Sequence, residues 1–205
     1  MELLVATTNP GKFKEVSAFL KDLPLQIVPL TNLLDPPGVI EDGLTFEENA
    51  LKKARALADF SGLLTLADDS GLEVDALNGG PGIYSARYAG AACDDNRNNQ
   101  RLLSELKGVP EPKRTARFVC ALALCSAGST RIPDWTVREA CEGRIAFSLH
   151  GKHGFGYDPL FFFPPMGKTF GEIDRETKAT VSHRGKALKR LAVELCNLLG
   201  ISKQT

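Results

Sequence analysis

The chain lacks an excess of charge of either sign, with 25 Lys and Arg set against 25 Asp and Glu in 205 residues. Duplex nucleic acid requires a basic stripe to neutralise its phosphates, so no nucleic acid polymer is expected as a partner. A single nucleotide, which needs only a few local cations, is not excluded. No apolar run approaches the roughly 18 residues that span a bilayer, so no membrane segment is expected. The N-terminus has no basic leader followed by a long apolar stretch; Glu2-Leu3-Leu4-Val5-Ala6 reads as a strand instead. A cytoplasmic chain is therefore expected. Its five cysteines are odd in number and contain no C-x-x-C, which argues against a disulfide framework or a zinc site. Reduced, mostly buried thiols fit a cytosolic protein. Repeats, low-complexity stretches and a Pro/Gly-rich dividing linker are also missing. Residues 1–205 are read as a single domain.

What is present is an alternation of short apolar runs and helical stripes. Leu3 to Ala6, Leu25 to Leu30 and Leu63 to Ala67 read as strands. Asn9 is placed to cap a helix with Pro10 at its first position, and Phe13, Val16, Phe19 and Leu20 supply its apolar stripe. Thr45-Phe46-Glu47-Glu48 is a capping box opening a helix that Gly62 ends. A helix is expected over about Asp94 to Leu106. Arg117–Ser126 and Trp135–Arg144 are expected as long antiparallel strands. A last helix is expected from about Ser182 to Gly200. Strands alternating with helices early, and a hairpin in the middle, predict an α/β protein with a mixed sheet.

Several segments carry chemistry. Ala67-Asp68-Asp69-Ser70-Gly71-Leu72 places adjacent carboxylates after an apolar run. Neighbours on a strand face opposite ways, so one Asp can face a cleft while the other anchors a turn. Carboxylates there suit Mg²⁺, which takes oxygen ligands and keeps several waters. A plain polar turn would read the same way. Thr7-Thr8-Asn9-Pro10-Gly11-Lys12 lies between strand and helix, where free N–H groups and the helix dipole favour an anion. It is not a Walker A loop. Lys52 and Lys53 sit on a helix with an apolar opposite face, and Glu41 and Asp42 on a loop; solvated charges are the ordinary reading of both. In Gly154-Phe155-Gly156-Tyr157-Asp158, the two glycines permit close backbone approach to a ligand and the aromatics offer flat faces to a base. A strand with its aromatics in the core is the alternative. His183 and Arg184 open the last helix, where the dipole disfavours cations, which suggests an anionic or carbonyl-rich ligand. His150 and His153 are read as surface residues.

These segments, together with Gly43–Ala50 and Pro81–Tyr88, resemble the inosine triphosphate pyrophosphatase family, which clears non-standard purine nucleoside triphosphates. They follow the family's order and cover nearly the whole chain; the loop from about Ala127 to Asp134 has no match. The resemblance implies hydrolysis of ITP, dITP and XTP to the monophosphate and pyrophosphate, with Mg²⁺. It implies Asp69 as proton acceptor and metal ligand, with Glu41 also at the metal. Lys12, Lys53 and Ser70 would hold the triphosphate and Phe155 would stack on the base. Tyr157, Asp158, Lys178, His183 and Arg184 would complete the nucleoside pocket. The implied fold is an elongated mixed sheet flanked by helices, with a cleft between two lobes, in a homodimer.

Phosphoryl transfer rests on charge neutralisation and positioning, which lysines, a metal and a carboxylate supply. Hypoxanthine and xanthine present a carbonyl at C6 where adenine presents an amino group. Donors aimed at that carbonyl would be left unpaired by ATP, at about 1–3 kcal/mol for each buried group. Two alternatives stay open: a related pyrophosphatase acting on modified pyrimidine or standard nucleotides, and a nucleotide-binding module without catalysis. The acids beside a phosphate loop argue against the module.

Overall fold

The computed structural model describes residues 1–128 and 132–200. In chain order it contains β1 (Glu2–Ala6), α1 (Pro10–Leu20), β2 (Gln26–Pro29), α2 (Phe46–Ser61), β3 (Leu64–Val74), α3 (Asp95–Glu105), β4 (Thr115–Cys125), β5 (Trp135–Ile145), β6 (Phe161–Phe163), β7 (Lys168–Thr169), α4 (Arg175–Val181) and α5 (His183–Leu199). The strands form a seven-stranded sheet in the order β2-β1-β3-β4-β5-β6-β7. β1 runs parallel to β2 and β3, with Leu4 opposite Val28 on one side and Thr65 on the other. β6 runs antiparallel to both β5 and β7. This is the mixed α/β sheet expected. No helix among the described residues is long and apolar enough to cross a membrane.

The chain divides into two compact units. One comprises residues 1–69, 120–139 and the chain from Gly185 onward; the other comprises residues 70–119 and 140–184. Each has its own core. In the first, Leu3, Val5, Leu66, Cys120, Leu122 and Leu124 on the strands meet Val16 and Leu20 of α1 and Ala187, Leu188, Leu191 and Leu195 of α5. The alternate strand residues Leu4, Ala6, Thr65 and Ala67 are also buried, and α2 lies against β1. A strand buried on both faces reads as a continuous apolar run, as β1 does. In the second unit, Leu72, Val74, Phe118 and Ile145 meet Leu102 and Leu106 of α3, with Tyr157, Phe161 and Phe170. No disulfide joins the cysteines, of which four are buried and Cys93 is exposed.

Local chemistry sets the element ends, with differences from expectation. Thr45 Oγ1 accepts from the Glu48 amide, but the Glu48 carboxylate accepts from Leu44, one residue before the cap. Gly62 ends α2 in the left-handed region, φ 72°. The third strand does not stop at Ala67. It continues through Asp68, Asp69, Ser70 and Gly71 to Val74, because Leu72 and Val74 resume the buried pattern. The two acids therefore lie within a strand rather than in a turn. β2 is shorter than read, with a 3₁₀ turn over Leu30–Asn32, and α4 was not anticipated. β4 and β5 are neighbours with near the expected bounds. Residues 129–131 of the unmatched loop lie outside the described residues.

Replacing Thr45 by Ala removes one cap of α2 and is expected to cost about 1 kcal/mol. Urea unfolding should show a lower midpoint with an unchanged slope.

Candidate active site

In the first unit the strand's alternation separates the two acids by role. Asp68 Oδ1 accepts from Lys12 Nζ at 2.5 Å, and its Oδ2 accepts from the buried Cys120 thiol of β4 at 3.5 Å. Asp69 faces Lys53 of α2 and the loop that carries Glu41, and Lys12 also acts on it electrostatically. Lys53 Nζ reaches Glu41 Oε1 at 2.5 Å. Both acids of β3 are buried. Burial pushes the Asp69 carboxyl up from its ordinary value to about 6; the charges of Lys12 and Lys53 oppose the rise and that of Glu41 adds to it. Asp69 Oδ2 is buried with no hydrogen-bond partner. A buried carboxylate oxygen left in this state marks a place for an external partner.

The structure adds two details to this region. Lys52 and Lys53 are not equivalent: Lys52 pairs with Asp42 in solvent, whereas Lys53 is mostly buried with Glu41. The amides of the Thr7–Lys12 loop are not all free for an anion. Asn9 Oδ1 accepts from the Gly11 and Lys12 amides, and Thr7 Oγ1 accepts from the Asn9 amide. The capping side chain already occupies donors that the dipole argument assigned to a ligand. The residues present fit a divalent cation nonetheless. Among the described residues, no group of three or more His, Cys, Asp and Glu could hold a metal. Mg²⁺ needs no such cage, since water and substrate phosphate complete its shell. Glu41 and the partnerless Asp69 Oδ2 are donors of the right hardness.

The second unit gathers the other residues. Phe155-Gly156-Tyr157-Asp158 forms a closed turn, with Asp158 Oδ2 accepting from the Phe155 amide at 2.8 Å and from Lys178 Nζ at 2.6 Å. Gly154 does not admit a ligand; a Cβ there would lie 1.9 Å from Asp158 Oδ2. Its absence lets the carboxylate close the turn. Tyr157 is buried in the core and its hydroxyl donates to the Ser85 carbonyl at 2.8 Å. Of the two aromatics only Phe155 is half-exposed, so the flat face is its own. Lys178 Nζ lies 5.1 Å and the Arg184 guanidinium 5.6 Å from the Phe155 ring centre. Arg184 Nη2 donates to Ser70 Oγ at 3.1 Å, and His183 stacks on Phe118. Both residues of this first turn of α5 are buried. His150 and His153 are exposed, as expected.

Thus Glu41, Lys12, Lys53 and Asp69 gather in one unit, and Ser70, Phe155, Asp158, Lys178 and Arg184 in the other. Sequence reasoning missed Asp68 as the partner of Lys12, and missed Asn49. Asn49 is buried, and its Oδ1 accepts from Gly43, pinning the loop after Glu41 and Asp42. A Cβ on Gly43 would lie 2.7 Å from that oxygen. The signal was a polar residue on the apolar face of α2.

The sequence profile of the Ham1 family matches residues 3–194. The dITP/XTP pyrophosphatase of Desulforamulus reducens is 52% identical over 204 residues, the full length of both chains. That of Geobacter sulfurreducens is 53% identical over 189 residues, 92% of this chain and 94% of its own. Among solved structures, a HAM1 protein from Coxiella burnetii superposes with a TM-score of 0.87 at 39% identity, covering 96% of this chain and 99% of its own. A nucleoside-triphosphatase / dITP/XTP pyrophosphatase from Mycobacterium abscessus does so at 0.75 and 42% identity, covering 93% and 97%.

In metal-free protein between about pH 4 and 6, folded Asp69 keeps a proton that the unfolded chain has lost. Stability from this group is expected to fall as pH rises through that window, by about 3 kcal/mol in all. Urea midpoints in EDTA should show it as a pH-dependent gap between wild type and Asp69→Asn, with the variant gaining relative stability toward pH 7.

Proposed function

The chain belongs to the Ham1 family, and on that premise we propose that it hydrolyses ITP, dITP and XTP to the monophosphate and pyrophosphate with Mg²⁺. The observation that carries the reading is Asp69: a buried, partnerless carboxylate oxygen beside two lysines and a second acid. A module that only binds nucleotide has no use for such a costly group. The family and its relatives supply the substrate class.

The roles follow from the chemistry of each side chain. Asp69 takes a proton from the water that attacks the α-phosphorus, and pyrophosphate leaves. With a carboxyl held near 6, Asp69 is ionised at neutral pH yet basic enough to accept a proton. Lys12 and Lys53, aimed by Asp68 and Glu41, neutralise the triphosphate. Thr7, Thr8, Asn9, Pro10 and Gly11 line the phosphate-binding turn, and Ser70 adds a hydroxyl. Glu41 and Asp69 would hold Mg²⁺, which when bound neutralises charge on the phosphates and organises the leaving group. For the base, Phe155 supplies the stacking face, on a turn built with Gly156, Tyr157 and Asp158. Lys178, His183 and Arg184 favour a purine with a carbonyl at C6, and an amino group there meets donors. Residues 1–205 are read as one pyrophosphatase domain, working in the cytoplasm as a homodimer on free nucleotides.

Pyrophosphate release from ITP should be fast with Mg²⁺ and lost in EDTA; release from dTTP alone would support the pyrimidine alternative, and none at all a binding module. Asp69→Asn is expected to lower kcat by about 10²–10⁴ without loss of fold, since it removes the general base. Arg184→Ala should reduce the kcat/KM ratio of ITP to ATP by about tenfold, the worth of a well-placed buried donor. Equal losses for ITP and ATP would remove Arg184 from base reading.

A further inference from the structure

We infer that Asp95 and Asn99 of α3 are positioning residues that hold the Phe155–Asp158 turn in register and so set base preference. This rests on the proposed role of Phe155 as the stacking face. The peptide groups of Gly156, at the apex of that turn, are gripped on both sides. Asp95 Oδ2 accepts from the Gly156 amide at 2.7 Å, and Asn99 Nδ2 donates to the Gly156 carbonyl at 2.9 Å. The same Nδ2 donates to the Asp95 carbonyl at 2.8 Å, which fixes which end of the amide faces the turn. Asp95 and Asn99 are four apart and share one face of the helix.

The helix that carries the grip is itself anchored. Asn98 accepts from the Ala89 amide through Oδ1 and donates to the Ala86 carbonyl through Nδ2. Tyr157, next to Gly156, donates to the Ser85 carbonyl of the same 3₁₀ segment, Gly82–Arg87. Leu102 and Leu106 seat α3 in the core. A rigid element thus holds both backbone groups at the apex, where Gly156 takes φ 62°. Asn99 is 3% exposed, and its Oδ1 is buried with no hydrogen-bond partner. An apolar residue would fill that space without this penalty, so the retained amide marks the donor as the part that matters. Reading a purine by hydrogen bonds demands placement to within about half an ångström. The half-exposed Phe155 ring has Lys178 and Arg184 over it, and shifting the apex moves the ring relative to those cations.

The test measures kcat/KM for ITP and ATP, and amide hydrogen exchange over 155–158, in Asn99→Ala, Asn99→Asp, Asp95→Ala and Asp95→Asn. Asn99→Ala and Asp95→Ala are expected to lower the ITP to ATP ratio by about three- to tenfold, the worth of one hydrogen bond. Asn99→Asp, equal in size, should be worse than Asn99→Ala, because a carboxylate then faces two carbonyls. Asp95→Asn retains an acceptor and should restore most of the ratio lost in Asp95→Ala. Exchange should accelerate over 155–158 and stay unchanged in β4. Ratios within twofold of wild type, or unaltered exchange over 155–158 in both alanine variants, would overturn the inference. If Asn99→Asp does not fold, the Asp95 pair decides. If wild type releases no pyrophosphate from ITP, the proposed function fails instead, and the exchange data still judge the grip.

Discussion

The first unit is organised around the burial of two consecutive carboxyl groups in a strand covered on both faces. Burying an ionised carboxylate is costly unless charge and hydrogen bonds compensate it. Alternation sends Asp68 and Asp69 to different neighbours, so each must find its own compensation. Asp68 obtains it from direct contacts that include Lys12 and Cys120. Asp69 obtains the more diffuse attraction of Lys12 and Lys53 and a smaller contribution from the Asn49 side chain, next to the like charge of Glu41. The difference divides the pair: one acid is structural support for a lysine, and the other is left with a buried oxygen that has no hydrogen-bond partner.

The same logic governs the lysines. Ammonium groups on long flexible stems lose rotamer freedom when fixed. Lys12 leaves the first turn of α1 and Lys53 the middle of α2, and each ends on a carboxylate at 2.5 Å. The acids thereby fix the two cations to which the proposed function gives the triphosphate. In the second unit, Asp158 plays a comparable part, closing the Phe155 turn with one oxygen that also receives Lys178. In both units a carboxylate aims a lysine, and a glycine lacking a Cβ, Gly43 or Gly154, makes room for the side chain that locks the loop.

Much of this was legible in the chain as written. Strand runs such as Leu3–Ala6 and the capping of α1 and α2 are local signals, decided within a few residues. The motif segments, in order along the chain, carried the resemblance that family membership bears out. Less legible was the path of β3. Asp-Asp-Ser-Gly has the composition of a turn, and only the burial of Leu72 and Val74 beyond it keeps the strand going. The role of the polar run in α3 was not legible either, because hydrogen bonds to Gly156, 57 residues away from Asn99 in sequence, cannot be inferred from local pattern.

By itself the sequence determined which chemical groups exist and the periods at which they recur: the acids at 68 and 69, the lysines at 12 and 53, the glycines at 154 and 156. Those are properties of neighbours along a chain, set by sterics and side-chain polarity. The tertiary structure decided which of two adjacent acids was neutralised, which of two adjacent lysines was buried, and which aromatic of the Phe155–Tyr157 pair kept an open face. Such choices depend on partners brought from distant strands and helices and on the loss of water around them, and neither exists until the units have formed.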